Sequence, residues 1–171
     1  MGVMSRRRFL SDTTIIFTAA AFLDRKLLAA EKKRLSKTFE VTHSEKEWRR
    51  LLSPEQFAVL REHDTEAPYS SALNKEKRRG IFHCAGCDLP LFSSATKFES
   101  HTGWPSFYQP LKNAVGTSED NSLMMTRIEV HCRRCGGHLG HVFDDGPKPT
   151  GLRYCMNGVA LVFKPVAAKA S

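Results

Sequence analysis

The five cysteines of the chain divide by spacing into two pairs and one single residue. Cys84 and Cys87 form one C-x-x-C pair, Cys132 and Cys135 form a second, and Cys155 stands alone. Four thiolates in two such pairs are the ligand set of a closed tetrahedral zinc site. A further thiol that lies near several histidines is typical of a nucleophile. The spacing therefore predicts a protein that combines a structural Zn²⁺ ion with thiol chemistry.

Each C-x-x-C pair is expected on a tight turn. Gly86 in the first pair, and Gly136 and Gly137 after the second, permit the positive φ that such turns need. Redox chemistry at the pairs is the alternative. A redox C-x-x-C typically opens a helix, however, whereas Asp-Leu-Pro-Leu-Phe follows the first pair and two glycines follow the second. We therefore predict one structural zinc per chain, which tethers strands that are distant in sequence.

The neighbours of Cys155 could make its thiol reactive. Arg153 and Asn157 stand two positions before and after it, so in an extended strand both would share its face. The charge of Arg153 would lower the pKa of the thiol, and Asn157 would supply an uncharged hydrogen-bond donor. The alternative is that Cys155 is a small buried hydrophobic residue.

Two further segments carry groups that suit the same chemistry. His138 and His141 lie three residues apart among glycines, where a backbone can approach a ligand closely, and Trp104 lies on a constrained Gly-Trp-Pro loop. A thiolate, imidazole acids, an amide donor and an apolar wall suit attack on a small polar centre that carries an apolar substituent. Alternatively, the histidines are satisfied loop residues and Trp104 belongs to the core.

Two short helices are expected to precede these segments. A capping box at Ser44 predicts a helix over 45–52, and Ser53 followed by Pro54 predicts a second, amphipathic helix to about His63. Both would pack over the elements that follow them.

After residue 70 the sequence changes to short apolar runs separated by turn residues, among them Gly116. No long helical period occurs in this part of the chain. The sequence therefore predicts a mostly β fold with a short helical cover at its N-terminal side. The runs predict strands at 81–83, 89–92, 123–130, 141–143 and 159–163.

The composition is that of one folded domain, with 41% hydrophobic residues in 171, and we expect a monomer. The formal charge of +8 is less informative than it looks. Residues 1–30 carry five Lys/Arg and two Asp/Glu, and four thiolates on Zn²⁺ would bring the remainder to about +3. We therefore expect no nucleic-acid partner. A zinc-ribbon binding module is the rival reading, and it would leave Cys155 without a role.

The N-terminus has the pattern of an export signal. Arg6, Arg7 and Arg8 precede the mildly apolar stretch 13–23, which is too short for a membrane span. The order Ser-Arg-Arg-x-Phe-Leu is similar to a twin-arginine signal. We therefore expect a periplasmic protein that binds zinc before export, since an oxidising compartment favours disulfides. The alternative is a cytoplasmic protein with a disordered basic tail. The predicted domains are a signal at 1–30, a linker at 31–43, an enzyme domain at 44–165 and a tail at 166–171.

From about Glu47 to Phe163 the chain resembles the B-type methionine sulfoxide reductases, the peptide-methionine (R)-S-oxide reductases. The resemblance rests on several long motifs in the same order. They are Cys-Ala-Gly-Cys at 84–87, Gly-Trp-Pro-Ser-Phe at 103–107, Gly-His-Leu-Gly-His-Val-Phe at 137–143, Asp-Gly-Pro at 145–147 and Gly-Leu-Arg-Tyr-Cys-Met-Asn at 151–157.

The resemblance implies two antiparallel β-sheets, a Cys₄ structural zinc, and reduction of the R epimer of methionine sulfoxide in peptides. Cys155 would be the nucleophile that attacks sulfur and becomes a sulfenic acid. The remaining roles follow by motif: His138, His141 and Asn157 would bind and protonate the sulfoxide oxygen, Arg153 would support the thiolate, and Trp104 and Phe143 would receive the ε-methyl group.

The chain departs from the family pattern at two places. Many members carry a resolving cysteine just before the Gly-Trp-Pro motif, whereas residues 100–103 here read Ser-His-Thr-Gly. With four cysteines on zinc, we expect an external thiol, such as a thioredoxin-like partner, to reduce the sulfenic acid. Secondly, Gly158 stands where the family often has serine, which is expected to loosen the turn after Asn157.

Overall fold

The computed structural model describes residues 39–122 and 125–166. The predicted signal at 1–30, the first part of the predicted linker and most of the predicted tail lie outside these residues. Within the two ranges, the structure has no helix long and apolar enough to cross a membrane.

Two short helices open the described chain, as the capping pattern predicts. Helix α1 spans Glu45–Leu51 and helix α2 spans Pro54–Glu62. Both begin with complete capping boxes, in which the side chains of Ser44 and Ser53 accept hydrogen bonds from the first turns. Helix α2 ends at His63, which takes a left-handed conformation with φ of 61°. The amphipathic pattern of α2 places its apolar residues against the core.

The strands form two antiparallel sheets, so the predicted fold class is confirmed. The small sheet has the order β2-β1-β9, and the large sheet has the order β3-β4-β8-β7-β6-β5. The bounds are β1 Gly80–Cys84, β2 Pro90–Ser93, β3 Lys97–Phe98, β4 Ser106–Phe107, β5 Val115–Asp120, β6 Arg127–Cys132, β7 His138–Phe143, β8 Arg153–Met156 and β9 Leu161–Pro165.

Three sequence expectations about these elements need correction. Of the strand expected over 123–130, residues 123 and 124 lie outside the described residues, 125 and 126 are not strand, and β6 runs from Arg127 to Cys132. Residues 159–160 form a single turn of 3₁₀ helix instead of strand. Gly116, expected in a turn, lies inside β5, which the sequence analysis missed because the strand is polar. A Cβ at position 116 would lie 2.6 Å from the His131 ring, so the glycine serves close strand packing instead.

The core lies between the two sheets and under α2. The Phe92 ring of the small sheet stacks on Phe107 of the large sheet at 4.4 Å, and Phe82 meets the same ring edge-on at 4.9 Å. Helix α2 contributes three buried residues, Phe57, Val59 and Leu60. Aromatic contacts across the interface therefore hold the sheets together at strand β4, beside the strand that carries Cys155.

Candidate active site

Four cysteines converge at the point where the two sheets meet. Cys84 ends β1 of the small sheet and Cys132 ends β6 of the large one, and Cys87 and Cys135 lie in the turns that follow. The four Sγ atoms all lie within 4.8 Å of one another. The Cys84–Cys135 and Cys87–Cys132 sulfurs are 3.7 and 3.5 Å apart.

These separations fit a metal and exclude disulfides. Tetrahedral thiolates at about 2.3 Å from Zn²⁺ lie roughly 3.8 Å from each other, whereas a disulfide joins its sulfurs at about 2.05 Å. The donor set and spacing therefore match the predicted Cys₄ zinc site. Because its ligands come from both sheets, the ion would connect them covalently.

The two C-x-x-C turns have the same backbone geometry. In each, the residue after the second cysteine donates its N–H to the carbonyl of the first, at 2.9 Å for both Asp88 to Cys84 and Gly136 to Cys132. These residues have φ of 60° and 67°. The prediction of a positive φ is confirmed for Gly136 and wrong for Gly86 and Gly137. In the first turn the left-handed residue is Asp88, a residue type that tolerates this region.

The chain joins this part of the domain earlier than the predicted start at residue 44. The Phe39 ring meets His131 edge-on at 5.9 Å, and Glu40 pairs with Arg133 at 2.6 Å. A Cβ at Gly136 would lie 2.2 Å from the Phe39 ring. Residues 39–41 therefore pack on the second C-x-x-C turn.

Cys155 lies in a row of polar side chains that crosses the large sheet. In the strand register it faces Ser106 of β4 on one side and His141 of β7 on the other, and the row continues through Glu129 of β6 to Ser118 of β5. Residues directly opposite in antiparallel strands project from the same face. Residues from five strands that are far apart in sequence are thus aligned on one surface.

A β-bulge adds His138 to this surface. In a regular strand His138 and His141, three residues apart, would project from opposite faces. The β6–β7 register shifts so that Leu139 becomes an extra residue, and the next residue, Gly140, has φ of 152°. As a result the two imidazole rings lie 5.3 Å apart, while Leu139 is buried in the core.

The thiol of Cys155 opens onto a small cavity of about 110 Å³. This is room for roughly four water molecules at about 30 Å³ each, so it would hold a small group and not a whole residue. Of the seven predicted site residues, five line the cavity and two, His138 and Arg153, do not. The lining consists of Thr65, Trp104, Arg127, Gly140, His141, Phe143, Cys155 and Asn157.

Burial dominates the state of Cys155. It raises the pKa of the thiol above the ordinary value, while the Thr102 hydroxyl, 3.8 Å from Sγ, and the positive charge of Arg153 lower it in part. Arg153 therefore acts in the expected direction, but the effect of burial is larger. Without a bound ligand, Cys155 is consequently a thiol at neutral pH.

His141 is held in one orientation by Asp120. Its Nε2 lies 2.7 Å from Asp120 Oδ2, which also pairs with Arg127 at 2.6 Å. Burial lowers the pKa of His141, although the hydrogen bond to Asp120 partly opposes this shift. Neutral His141 therefore donates its Nε2 proton to Asp120, which leaves the lone pair on Nδ1 as a proton acceptor.

Arg153 and Phe143 form a neighbouring unit at the cavity rim. The guanidinium of Arg153 donates twice to Asp145, at 2.8 Å each, and lies 4.4 Å from the centre of the Phe143 ring. A bidentate pair of this kind fixes both side chains. Arg153 therefore orients one wall of the cavity and places a positive charge near Sγ.

Glu66 connects the other walls of the cavity, and no sequence pattern marks it. Its backbone N–H donates to Asn157 Oδ1 at 3.0 Å, and its carbonyl accepts from Trp104 Nε1 at 3.1 Å. Its carboxylate accepts from the backbone N–H groups of Gly158 and Val159 at 2.6 and 2.9 Å. The amide of Asn157 also donates to Leu139 O at 3.2 Å, so one of its N–H groups is already used.

The remaining missed residues are Thr65, Thr102, Asp120 and Arg127, and only Thr102 lies close to a motif. Thr65 and Glu66 belong to the irregular segment between α2 and the first strand, while Arg127 begins β6. They reach the site only because the two sheets and α2 meet there. Sequence spacing could have found only Thr102, because it lies two residues before Trp104.

The fold and the site together define a two-sheet protein with a thiol in a small cavity and four cysteines placed for a metal ion, and known proteins identify the family. The SelR domain family matches residues 52–165. The chain is 57% identical over 125 residues to the peptide methionine sulfoxide reductase MsrB of Methanosarcina barkeri, covering 72% of this chain and 88% of that protein. It is 51% identical over 128 residues to the protein of that name from Agrobacterium fabrum, covering 74% and 95%. For the Pseudomonas putida W619 protein the identity is 53% over 133 residues, covering 77% and 96%.

The chain therefore belongs to the SelR domain family, the family of the MsrB peptide methionine sulfoxide reductases. The family and the enzyme class that the sequence motifs predict are both confirmed.

Proposed function

We propose that the chain reduces the R epimer of methionine sulfoxide in peptides to methionine through a sulfenic acid on Cys155. The observation that carries this proposal is the cavity at Cys155, where polar His141 and Asn157 and aromatic Trp104 and Phe143 line a space fit for one small group. The family to which the chain belongs supports the same chemistry.

The first step transfers oxygen from the substrate to the enzyme. The Cys155 sulfur attacks the sulfoxide sulfur and forms a transient S–S bond. The oxygen then passes to the Cys155 sulfur, the S–O and S–S bonds at the substrate sulfur break, and Cys155 is left as S–OH. The thiol proton becomes the sulfenic acid proton, so the step needs no other oxidant or acid. Methionine is reduced by two electrons and Cys155 is oxidised by two.

His141 is suited to move the proton during this step. Because Asp120 holds the Nε2 proton, Nδ1 can accept the proton of the Cys155 thiol. The resulting imidazolium would be stabilised by Asp120 and would protonate the leaving oxygen. Activation of this kind compensates for a thiol whose pKa is raised by burial.

The walls of the cavity give a reason for selectivity between epimers. A sulfoxide sulfur carries an oxygen, a methyl group and the rest of the side chain in a fixed handedness. With the methyl group against Trp104 and Phe143 and the oxygen toward His141 and Asn157, only one epimer presents its sulfur to Cys155. Resemblance to the B-type enzymes assigns this epimer as R.

An external thiol is proposed to restore Cys155. The four other cysteines lie together in the zinc quartet, and Thr102 takes the position beside Sγ where many relatives carry a resolving cysteine. Two thiols of a thioredoxin-like protein would reduce the sulfenic acid, with formation of one disulfide and release of one water.

The experiment that tests the activity is turnover of the separate R and S epimers of a peptide methionine sulfoxide with dithiothreitol. Wild type should consume only the R epimer, and Cys155→Ser should have no activity while still binding one zinc. Turnover of the S epimer would refute the assignment of the walls. No turnover by the zinc-loaded wild type would instead favour a zinc-ribbon binding module.

We also propose that the chain is exported to the periplasm with its zinc already bound. The support is the arginine-containing sequence at 5–10, followed by an apolar stretch. Fractionation should find the protein in the periplasm with one zinc and a reduced quartet, and replacement of Arg6 and Arg7 by lysine should retain it in the cytoplasm. A cytoplasmic wild type, or a metal-free and disulfide-bonded periplasmic form, would contradict the proposal.

A further inference from the structure

An acidic depression of about 590 Å³ adjoins the Cys155 cavity. Thr65, Arg127 and His141 line both spaces. The depression is also lined by four carboxylates, whereas Arg127 is the one lysine or arginine in its lining. The acidic residues are Asp64, Glu119, Asp120 and Glu129. The charge of this surface therefore favours a cation.

Three metal-ligating side chains converge in this depression. His63 Nδ1 and His138 Nδ1 lie 3.3 and 2.9 Å from the same oxygen, Oε1 of Glu129. One ligand atom from each of the three residues lies within 4.8 Å of the others. We call these residues the histidine–glutamate cluster.

The geometry points to a second metal site: we propose that the histidine–glutamate cluster binds a divalent transition-metal ion such as Zn²⁺, independently of the four cysteines. Two imidazoles and a carboxylate form a ligand set that Zn²⁺ accepts readily. Ligands at 2.0–2.2 Å from a tetrahedral ion lie roughly 3.3 Å apart. The observed separations of 2.9 and 3.3 Å need only small adjustments to reach that value.

Surrounding contacts already prepare the carboxylate for an ion. Ser118 Oγ donates to Oε2 of Glu129, and His131 Nδ1 lies 3.7 Å from that same oxygen. Oε1 is thereby left to face His63 and His138. Neighbouring groups that orient a ligand in this way typically raise metal affinity.

The cluster is also accessible from solvent. The side chain of His63 is 61% exposed, whereas those of His138 and Glu129 are 2% and 11% exposed. His63 ends helix α2, where the partial negative charge of the helix C-terminus favours a cation. An ion can therefore enter past His63 and take water as its remaining ligand, as open zinc sites do.

Occupation of this site would inhibit the reductase, a consequence that rests on the proposed function. The ion would replace the hydrogen bond between His138 Nδ1 and Glu129 and would bind an imidazole whose ring lies 5.3 Å from that of His141. It would also place positive charge in the depression that shares Arg127 and His141 with the cavity. Excess metal would thus slow oxygen transfer.

The test starts from untagged full-length chain that carries one zinc in its quartet. Equilibrium dialysis against micromolar Zn²⁺ measures the second ion, and Co²⁺ spectra distinguish its ligands, because nitrogen and oxygen ligands lack the intense charge-transfer bands of thiolates. His63→Gln removes the exposed ligand. His43→Gln is the matched control, since His43 is an exposed histidine that lies outside the cluster.

Wild type and His43→Gln should bind a second ion without thiolate bands, and His63→Gln should bind it at least about tenfold more weakly. Absence of a second ion in wild type, or equal affinity in His63→Gln, would overturn the proposal. Single-turnover formation of methionine, measured without reductant, tests the proposed inhibition separately from metal binding. Zn²⁺ should slow this step in wild type but not in His63→Gln, and both should react equally without added metal. Binding without slowing would refute the inhibition alone, whereas no methionine at any zinc level would count against the proposed function.

Discussion

Gly158 and Ser71 should be energetically coupled, because the two residues share one small space. A Cβ at position 158 would lie 2.0 Å from Ser71 Oγ and 2.5 Å from Ser71 Cβ, far inside the ~3.5–4.0 Å of ordinary contact. The φ of Gly158 is not in the left-handed region, so the conflict is with Ser71 and not with the local backbone. The glycine, which stands where the family often has serine, is thus explained by packing.

Rotation of Ser71 cannot relieve this contact cheaply. Ser71 Oγ accepts a hydrogen bond from Leu73 N at 3.1 Å and thereby caps the 3₁₀ helix Ala72–Lys75. Overpacking costs about 1–3 kcal/mol and loss of a cap costs about 0.5–2 kcal/mol. Gly158→Ala should therefore lower the free energy of unfolding by about 2–4 kcal/mol, which leaves a domain of typical stability folded.

Ser71→Gly supplies the matched partner for a double-mutant cycle. Alone it should cost only a few tenths of a kcal/mol, because glycine is an acceptable cap residue. Combined with Gly158→Ala it should recover about 1–3 kcal/mol. Turnover should fall in Gly158→Ala and recover in the double variant, since displacement of this turn moves the adjacent Asn157.

Urea unfolding at constant free zinc, monitored by circular dichroism, gives the free energy of unfolding of all four proteins of the cycle. Additive effects, or a Gly158→Ala variant within about 0.5 kcal/mol of wild type, would refute the reasoning. Either result would mean that the chain repacks freely around position 158.

Three further predictions concern the thiols. Because the pKa of Cys155 is raised, its alkylation by iodoacetamide, measured by mass spectrometry, should be slow at pH 7 and reach half its maximal rate at a pH above the ordinary cysteine pKa. Thr102→Val should move that midpoint to higher pH. A midpoint below pH 7 would contradict the raised pKa. Removal of zinc by a strong chelator should abolish the β-sheet circular dichroism, since structural zinc contributes about 10–16 kcal/mol; a chelated protein with native spectrum would show that the sheets hold without the ion. Thr102→Cys should form a disulfide with Cys155 after one turnover with methionine sulfoxide, because the two side chains are 3.8 Å apart; a persistent sulfenic acid in that variant would mean that the loop cannot bring the sulfurs together.

The helices and the cysteine quartet could be predicted from the sequence because their signals are local. A capping box is complete within four residues, and a C-x-x-C pair specifies its own turn. The polar strand β5 escaped prediction because its residues Gly-Thr-Ser-Glu-Asp at 116–120 lack apolar alternation. Its pairing with β6 supplies the stability that its composition does not.

The site was only partly predictable for the same reason. The motifs marked Cys155, His141, Trp104, Phe143 and Asn157, and the structure brings these five to one cavity. The sequence also marked His138, but a regular strand would have turned it to the other face, and a bulge at Leu139 returns it. Glu66 carried no signal, because its role comes from backbone groups that lie more than ninety residues away.

By itself, the sequence determined the candidate groups and the family: two cysteine pairs spaced for zinc, one separate thiol, and the motifs of the SelR domain family. Only the tertiary structure decided how these groups behave. Burial raised the pKa of Cys155 despite the nearby Arg153, and strand register set His141 and Ser106 on either side of the thiol. Spacing along the chain fixes local turns, whereas desolvation and pairing between strands depend on residues that folding brings together from distant positions.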